Sequence, residues 1–169
     1  MTRSYVGLGS NLGDREAFLV GARVALAATR GVSVAAASRL YETEPLGPPQ
    51  GRYLNAVLAL DTALGPHTLL ALLLELEQAA GRRRGAVRNA PRTLDLDLLL
   101  HGDACLETPE LVLPHPRLHE RAFVLVPLAE IAPDLVHPRL RERVRDLPEH
   151  RLGAVQPWPS PPGWCAPER

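Results

Sequence analysis

The 169-residue chain contains no lysine, so all nineteen of its basic side chains are arginines. Catalysis through a lysine Schiff base or a lysine nucleophile is therefore excluded, whereas rigid guanidinium groups that pair with phosphate are abundant. Cysteine is scarce as well, because Cys105 and Cys165 stand alone, without CxxC or Cys/His spacing. This argues against a zinc site or a disulfide framework. Long apolar runs are also missing, since the densest one, residues 69–74, is far too short to span a bilayer.

The chain carries no net charge, because nineteen acidic residues balance the arginines. Zero net charge argues against binding of nucleic acid or membrane through bulk positive charge, so any anion site must be local. No apolar stretch with a small-residue cleavage site opens the chain, and we expect a cytoplasmic protein.

The length is typical of a single domain with one hydrophobic core. We expect this domain to cover residues 1–150. Residues 151–169 contain five prolines, which disfavours a packed element and predicts a Pro-rich C-terminal tail. We expect the tail to be either mobile or an extended strap with Trp158 and Trp164 docked, and its deletion to spare catalysis.

The apolar pattern predicts the element order β–α–β–β–α–β, followed by short helices. Strands are predicted at residues 4–8, 32–40, 53–60 and 93–100. The first helix follows Asn11, its predicted N-cap, and ends at Gly31, while the second opens at Gly65-Pro66 and ends at Gly81. Short helices are predicted at 122–131 and 139–147, broken by prolines. This order is typical of an α+β sandwich of the ferredoxin-like type, mainly an antiparallel sheet with helices packed on one face.

The clearest strand alternates leucines with polar residues, so Asp95 and Asp97 leave the same sheet face with Cα atoms roughly 6.5 to 7 Å apart. Two like charges on one strand face repel each other, an arrangement that makes physical sense if cations lie between them. Oxygen ligands favour magnesium, and the spacing suits a two-metal site. The alternative is a solvated sheet face whose aspartates are balanced by arginines.

Immediately before this strand, residues 81–92 form a glycine-punctuated loop with five arginines. Arginine forks pair bidentately with phosphate oxygens, which indicates a polyanion site; the alternative is a soluble connection whose arginines pair with surface acids. Metal-binding acids beside phosphate-binding forks favour phosphoryl-type transfer. The glycines Gly7, Gly9 and Gly13 do not match a dinucleotide fingerprint, and a close turn from strand to helix explains them without a ligand.

Aromatic residues are few, and two of the seven, Tyr53 and Phe123, adjoin the predicted site loops. Core packing is their default role, but they also suit a sandwich around a flat heterocycle, with Asn55 supplying a paired donor and acceptor to its edge. His115 and His119 are spaced like a helical metal pair, yet the flanking prolines oppose a helix there. A phosphate or ribose contact is favoured.

Five motifs together identify a known family: GSNLGD at 9–14, YETEPLGPP at 41–49, YLNAV at 53–57, NAPRTLDLDLL at 89–99, and LPHPRLHERAFVLVPLAEIAPD at 113–134. The chain resembles 6-hydroxymethyl-7,8-dihydropterin pyrophosphokinases over residues 3–148. The resemblance implies a ferredoxin-like α+β fold and transfer of a diphosphate from ATP to the pterin in folate biosynthesis, with AMP as the second product. The chain departs from patterns common in that family at Asn89, Ala90, Glu110 and Pro116.

The resemblance also implies the roles of individual residues. Two Mg²⁺ ions would bind Asp95 and Asp97, and the pterin would stack between Tyr53 and Phe123. Asn55 and the backbone around Thr43 and Leu46 would complete the pterin pocket. The phosphate chain would be held, and its transition state stabilised, by Arg82 and Arg92. The remaining implied ATP-binding positions are Glu77, Arg84, Arg88, Leu98, His115 and Arg121.

Two other functions fit parts of the pattern. An ordinary kinase would transfer the γ-phosphate, but the chain has neither a GxxxxGK[ST] loop nor any lysine. A ferredoxin-like module for single-stranded nucleic acid would also use arginines and aromatic residues, but aspartates on the strand face repel phosphate unless a metal intervenes. We therefore expect the chain to bind ATP and a pterin, and neither nucleic acid nor membrane. We also expect it to be a monomer.

Overall fold

The computed structural model describes residues 1–45, 47–81, 91–147 and 155–165. Its first half contains β1 (Thr2–Ser10), α1 (Arg15–Ala27), β2 (Val32–Ala37), β3 (Leu40–Thr43), β4 (Tyr53–Thr62), α2 (Pro66–Ala79) and β5 (Asp95–His101). Its second half contains β6 (Leu106–Glu107), β7 (Val112–Leu113), α3 (Ala122–Ile131) and β8 (Val155–Trp158), with short 3-10 turns at Leu118–Glu120 and Val144–Asp146. Within this described part, no helix is long and apolar enough to cross a membrane.

The predicted bounds of the first two helices agree with the structure to within a few residues, but the residue that caps the start of α1 differs. The carboxylate of Asp14 accepts a hydrogen bond from the Ala17 amide at 3.1 Å, so Asp14 and not Asn11 is the N-cap. The prediction failed because β1 runs on to Ser10. At the other boundaries, Pro66 opens α2, and Gly81 follows it with a φ of 83° that suits glycine.

The main sheet has the order β5-β1-β4-β3-β8, and every pairing in it is antiparallel. Strand β2 pairs with the C-terminal half of β4, on the same edge of β4 whose N-terminal residues pair with β3. The single strand predicted over residues 32–40 is interrupted at Ser38, because its hydroxyl accepts a hydrogen bond from the Val57 amide at 2.9 Å. The predicted α+β antiparallel architecture is confirmed.

Helices cover both faces of the sheet. Helices α1 and α2 pack against one face, where the larger core cluster includes Leu19, Leu26, Leu69 and Leu73. Helix α3 packs against the opposite face, over a smaller cluster that includes Val57, Leu99, Leu125 and Leu128. The expectation that all helices lie on one face is therefore wrong for α3.

Helix predictions failed in two places near the C-terminal end. Pro127 lies inside α3 and does not break it. The helix predicted at 139–147 does not form, because Arg141 has a φ of 62° and the Arg141 amide donates to the His137 carbonyl in a tight turn. Only the 3-10 turn Val144–Asp146 remains.

A packed element was not expected after Arg151, yet β8 pairs with β3 over the register Leu40↔Trp158 to Thr43↔Val155. Proline is tolerated there because β8 is an edge strand. Beyond it, Trp164 is only 3% exposed, and its indole N–H donates to the Ser38 carbonyl at 2.7 Å. The C-terminal segment thus contributes to the sheet and to the core.

Candidate active site

The site lies on the α3 face of the sheet, where β1 runs between β5 and β4. The antiparallel registers place Gly9 opposite Asp95 on one side and opposite Asn55 on the other. Gly7 lies opposite Asp97 in the same way. The two carboxylates therefore share one face, as the alternation of the strand predicted, and only glycines of β1 separate them from the Asn55 side.

These two glycines are strand residues, not turn residues. A Cβ atom on Gly9 would lie 2.9 Å from Asn55 Nδ2 and 3.3 Å from Tyr53 Cδ1, whereas one on Gly7 would make an ordinary 3.6 Å contact with Leu99. The prediction of a strand-to-helix turn holds only for Gly13, whose φ is 76°. Gly9 is required by the packing of the residues beside it.

Above this floor lies a cavity of about 310 Å³. Nine of the predicted site residues line it: Thr43, Tyr53, Asn55, Arg92, Asp95, Asp97, His115, Arg121 and Phe123. Glu44, Pro116 and Arg117 line it as well and were not predicted. Their signal was their position inside the motifs YETEP and HPRLHER, where Glu44 and Pro116 directly follow predicted site residues and Arg117 lies two positions after His115.

The acidic pair, Asp95 and Asp97, is electrostatically strained. Desolvation, followed by the charge of Asp95, raises the pKa of Asp97 to about 7. Arg92 compensates only in part, since its Nη1 lies 3.0 Å from a single oxygen of Asp95. A divalent cation between the carboxylates would relieve this repulsion, so the pair fits such an ion.

The donor set of the acidic pair favours magnesium. Among the described residues, no group of three or more His, Cys, Asp or Glu side chains is arranged to hold a metal. Mg²⁺ commonly binds through one or two carboxylates and completes its octahedron with water and substrate phosphates. Two aspartates therefore suffice for an ion that is shared with a nucleotide.

Cationic and donor groups face the acidic pair across the cavity. The guanidinium carbon of Arg121 lies 5.4 Å from the ring centroid of Phe123. His115 Nδ1 accepts a hydrogen bond from the Arg117 amide at 3.2 Å, which leaves its proton on Nε2 in the neutral ring. Burial lowers the pKa of His115 to about 4, so near neutral pH this residue is an uncharged donor.

An aromatic slot lies beside these charges. Tyr53 begins β4, and Phe123 lies in the first turn of α3, so the opening between the sheet and the helix has an aromatic ring on either side. Asn55 is 8% exposed, and its Oδ1 accepts a hydrogen bond from the Thr43 hydroxyl. This contact fixes the amide orientation and leaves Nδ2 directed away from Thr43.

Asn11 joins the loops on either side of the cavity, a role that the sequence did not reveal. Its Nδ2 donates to Gln50 Oε1 at 2.7 Å and to the Gly51 carbonyl at 3.0 Å. Its Oδ1 accepts from the Arg92 amide at 2.8 Å, and its own amide donates to the Arg92 carbonyl at 3.1 Å. One buried side chain thus fixes Arg92 relative to the β3–β4 loop (residues 44–52).

Two predicted ATP-site residues lie outside the cavity lining. Glu77 is 3% exposed on α2, and its Oε2 accepts a hydrogen bond from the Leu96 amide at 2.9 Å. Leu98 lies in the larger core cluster, on the sheet face opposite the acidic pair. The ATP-binding roles assigned to Glu77 and Leu98 stay predictions. Leu46, Arg82, Arg84 and Arg88 lie outside the described residues.

An acidic pair, arginines and an aromatic slot on an antiparallel α+β scaffold define a phosphotransferase-type site. Residues 5–133 match the family model described as 7,8-dihydro-6-hydroxymethylpterin-pyrophosphokinase (HPPK). The chain belongs to this family, which confirms the resemblance that its motifs indicated.

Named relatives agree with the family match. A 2-amino-4-hydroxy-6-hydroxymethyldihydropteridine pyrophosphokinase of Methylorubrum extorquens is 54% identical over 137 residues, covering 80% of this chain and 86% of the relative. A protein of the same name from Synechocystis is 45% identical over 160 residues, covering 95% and 81%.

Solved structures support the fold. A crystal structure of an HPPK-DHPS in complex with substrates superposes with a TM-score of 0.67 at 12% identity, covering 86% of this chain and 42% of that one. Plasmodium falciparum HPPK-DHPS with pteroate gives 0.67 at 14% identity, covering 86% and 41%. This chain therefore spans less than half of each of those longer chains.

Proposed function

We propose that the cavity transfers a diphosphate group from ATP to the hydroxymethyl group of 6-hydroxymethyl-7,8-dihydropterin, a step of folate biosynthesis. The observation that carries the proposal is the junction of the acidic pair with the aromatic slot in one cavity. A site for phosphate and metal thereby adjoins a site for a flat heterocycle.

The pterin binds in the aromatic slot between Tyr53 and Phe123. Stacking on both ring faces suits a bicyclic heterocycle, and Asn55 reads its polar edge with an amide whose orientation Thr43 fixes. In this pose the hydroxymethyl group points along the sheet toward the acidic pair. The ring is selected by shape and edge hydrogen bonds, and its reactive oxygen is directed by the slot.

Asp95 and Asp97 would hold the two Mg²⁺ ions together with the phosphates of ATP. When bound, these ions supply Lewis-acid stabilisation of the charge on the transferring group. Arg92 lies next to Asp95 and contributes a fixed positive charge, while His115 and Arg121 hold the nucleotide from the opposite wall. Arg82, Arg84 and Arg88 complete the phosphate grip in our proposal.

The reaction is an in-line displacement at the β-phosphorus of ATP. The pterin hydroxymethyl oxygen forms a bond to that phosphorus, and the bond from the phosphorus to the bridging oxygen of the α-phosphate breaks. AMP leaves with the bonding electron pair, and the hydroxyl proton is released. Positioning and charge stabilisation supply the catalysis.

We further propose that the enzyme is a cytoplasmic monomer that does not bind nucleic acid, and that residues 1–150 carry the catalytic and substrate-binding side chains, while β8 completes the sheet beside β3. The alternative, a module for single-stranded nucleic acid, is not favoured, because aspartates occupy the floor of the cavity.

Chromatography of a reaction containing ATP, the reduced pterin and Mg²⁺ tests the proposal. We expect AMP and pterin diphosphate in equal amounts, and no product when EDTA removes the metal. Stoichiometric ADP with a pterin monophosphate would instead identify an ordinary kinase.

A further inference from the structure

We propose that Trp158 of β8 is a positioning residue for the pterin side of the cavity, and that it acts through Arg15. The inference rests on the proposed function, because its readout is the interaction with the pterin. It departs from the sequence-based expectation that deletion of the tail spares catalysis.

The C-terminal strand borders the site directly. Strand β8 covers the outer edge of β3, and Val155 lies opposite Thr43, whose hydroxyl orients Asn55. At the other end of this short ladder, Trp158 lies opposite Leu40. Strand β3 therefore has a neighbour on both sides, and its site residue Thr43 lies inside the sheet and not on its edge.

Arg15, the first residue of α1, connects Trp158 to both ends of the β3–β4 loop. Its guanidinium carbon lies 5.0 Å from the centroid of a Trp158 ring, within cation–π range. Its Nη1 donates to Glu42 Oε2 and to the Arg52 carbonyl, each at 2.9 Å. Arg15 and Glu42 are mostly buried, with side-chain exposures of 22% and 18%. One arginine therefore bonds to both sides of the base of the β3–β4 loop, to Glu42 just before it and to Arg52 at its end.

From this base the contacts continue to the cavity wall. Arg52 Nη1 lies 3.5 Å from Glu42 Oε1, and Arg52 Nη2 lies 2.8 Å from Glu44 Oε1. Glu44 lines the cavity between Thr43 and the rest of the loop. An unbroken series of contacts therefore runs from Trp158 through Arg15 and Arg52 to the pterin side of the site.

Trp164 provides a matched control in the same segment. It is buried in the larger core cluster, donates to the Ser38 carbonyl, and has Arg23 near its ring at 5.9 Å. It anchors the segment through Ser38 and Arg23, whereas Arg15 lies over Trp158. If the segment had only a structural role, replacement of either tryptophan would have the same effect on the pterin KM. Our proposal expects the pterin KM to change only when Trp158 is replaced.

The test compares Trp158→Leu, Trp158→Phe and Trp164→Leu for melting temperature, kcat and the KM of each substrate. We expect Trp158→Leu to raise the pterin KM about three- to fivefold, the scale of one partly exposed cation–π contact. The ATP KM and kcat stay unchanged. Trp158→Phe retains an aromatic face and rescues most of the effect. Trp164→Leu lowers the melting temperature and leaves the pterin KM unchanged.

The route through Arg15 is tested with Arg15→Gln and the double variant Arg15→Gln/Trp158→Leu. We expect the double variant to raise the pterin KM no further than Arg15→Gln alone. A wild-type pterin KM in Trp158→Leu, or equal effects of Trp158→Leu and Trp164→Leu on it, overturns the proposal. Absence of diphosphate transfer by the wild-type protein would instead overturn the proposed function.

Discussion

Replacement of Gly9 by alanine tests whether the floor of the cavity positions the residues that read the pterin. The added Cβ atom would lie 2.9 Å from Asn55 Nδ2, closer than such contacts normally are, and 3.3 Å from the Tyr53 ring. Movement of Asn55 away from this Cβ atom is opposed by the hydrogen bond that its Oδ1 accepts from Thr43, and any such movement would be into the cavity that the pterin occupies. Both pterin contacts must therefore shift together.

The size of the effect follows from the collision. Insertion of one extra carbon into a close-packed site costs roughly 1–3 kcal/mol. If this strain is relieved by displacement of Asn55 and Tyr53, the same energy is lost from pterin binding. At about 1.4 kcal/mol per factor of ten, the pterin KM rises about 5- to 150-fold, while the ATP KM changes little because the acidic pair is untouched.

Gly7→Ala is the control, since it adds the same methyl group to the same strand face. Its Cβ atom would lie 3.6 Å from the nearest Leu99 carbon, an ordinary contact, and removal of a strand glycine stabilises the fold by roughly 0.5–1 kcal/mol. Steady-state kinetics and thermal unfolding of both variants decide the matter. A pterin KM within twofold of wild type in Gly9→Ala, or equal increases in both variants, would refute the reasoning.

Four further outcomes are expected. Asp95→Asn and Asp97→Asn each abolish turnover while the melting temperature is retained, because removal of one of two repelling charges does not weaken the strand; wild-type rates would contradict the metal role. Arg92→Ala lowers kcat about 100-fold and weakens ATP binding less, which rapid-quench kinetics would show; a loss confined to KM would make it a binding residue. Asn11→Ala destabilises the fold by roughly 1–3 kcal/mol in denaturant titrations, and Asn11→Asp is also destabilised, because it keeps the acceptor for the Arg92 amide but loses the donor to Gln50 and Gly51; wild-type stability of Asn11→Asp would argue against the loop bridge. His115 lowers stability as the pH falls from about 6.5 toward 4, because only the unfolded chain takes up the proton there; the loss of stability over this range is smaller in His115→Gln, and an unchanged pH dependence would contradict the assignment.

Local patterns were sufficient to predict β1, β4 and β5, and the sheet face on which the aspartates of β5 lie. The two-residue spacing of Asp95 and Asp97 fixes their common side without knowledge of any partner strand. The alternation ends after Leu98, because the β5–β1 register shifts between Tyr5 and Val6. As a result, the neighbouring residues Leu99 and Leu100 both pack in the smaller core cluster. Alternation reveals a face only while the pairing remains regular.

Features that depend on distant partners were not readable from the sequence. Asn11 is a residue type that commonly caps helices. It bridges two loops instead, because Arg92 and the β3–β4 loop lie close to it in the fold. Glu77 reaches the Leu96 amide of β5 because α2 packs beside that strand. Strand β8 forms because β3 leaves an edge to pair with, which outweighs the proline content of the segment. Each contact joins residues far apart in the chain.

Strand order, rather than loop conformation, sets the separation between the pterin-reading side chain and the acidic pair. Asn55 and Asp95 lie on strands two positions apart in the sheet, with Gly9 between them, so their Cα atoms are about 9.5 Å apart. The β3–β4 loop and the segment around Arg92 form only the walls of the cavity. Because a glycine occupies the intervening position, this span stays open for the substrate that joins the two sides. The walls therefore determine how tightly ATP and the pterin are enclosed, while the sheet determines which atoms of the two substrates meet over the acidic pair.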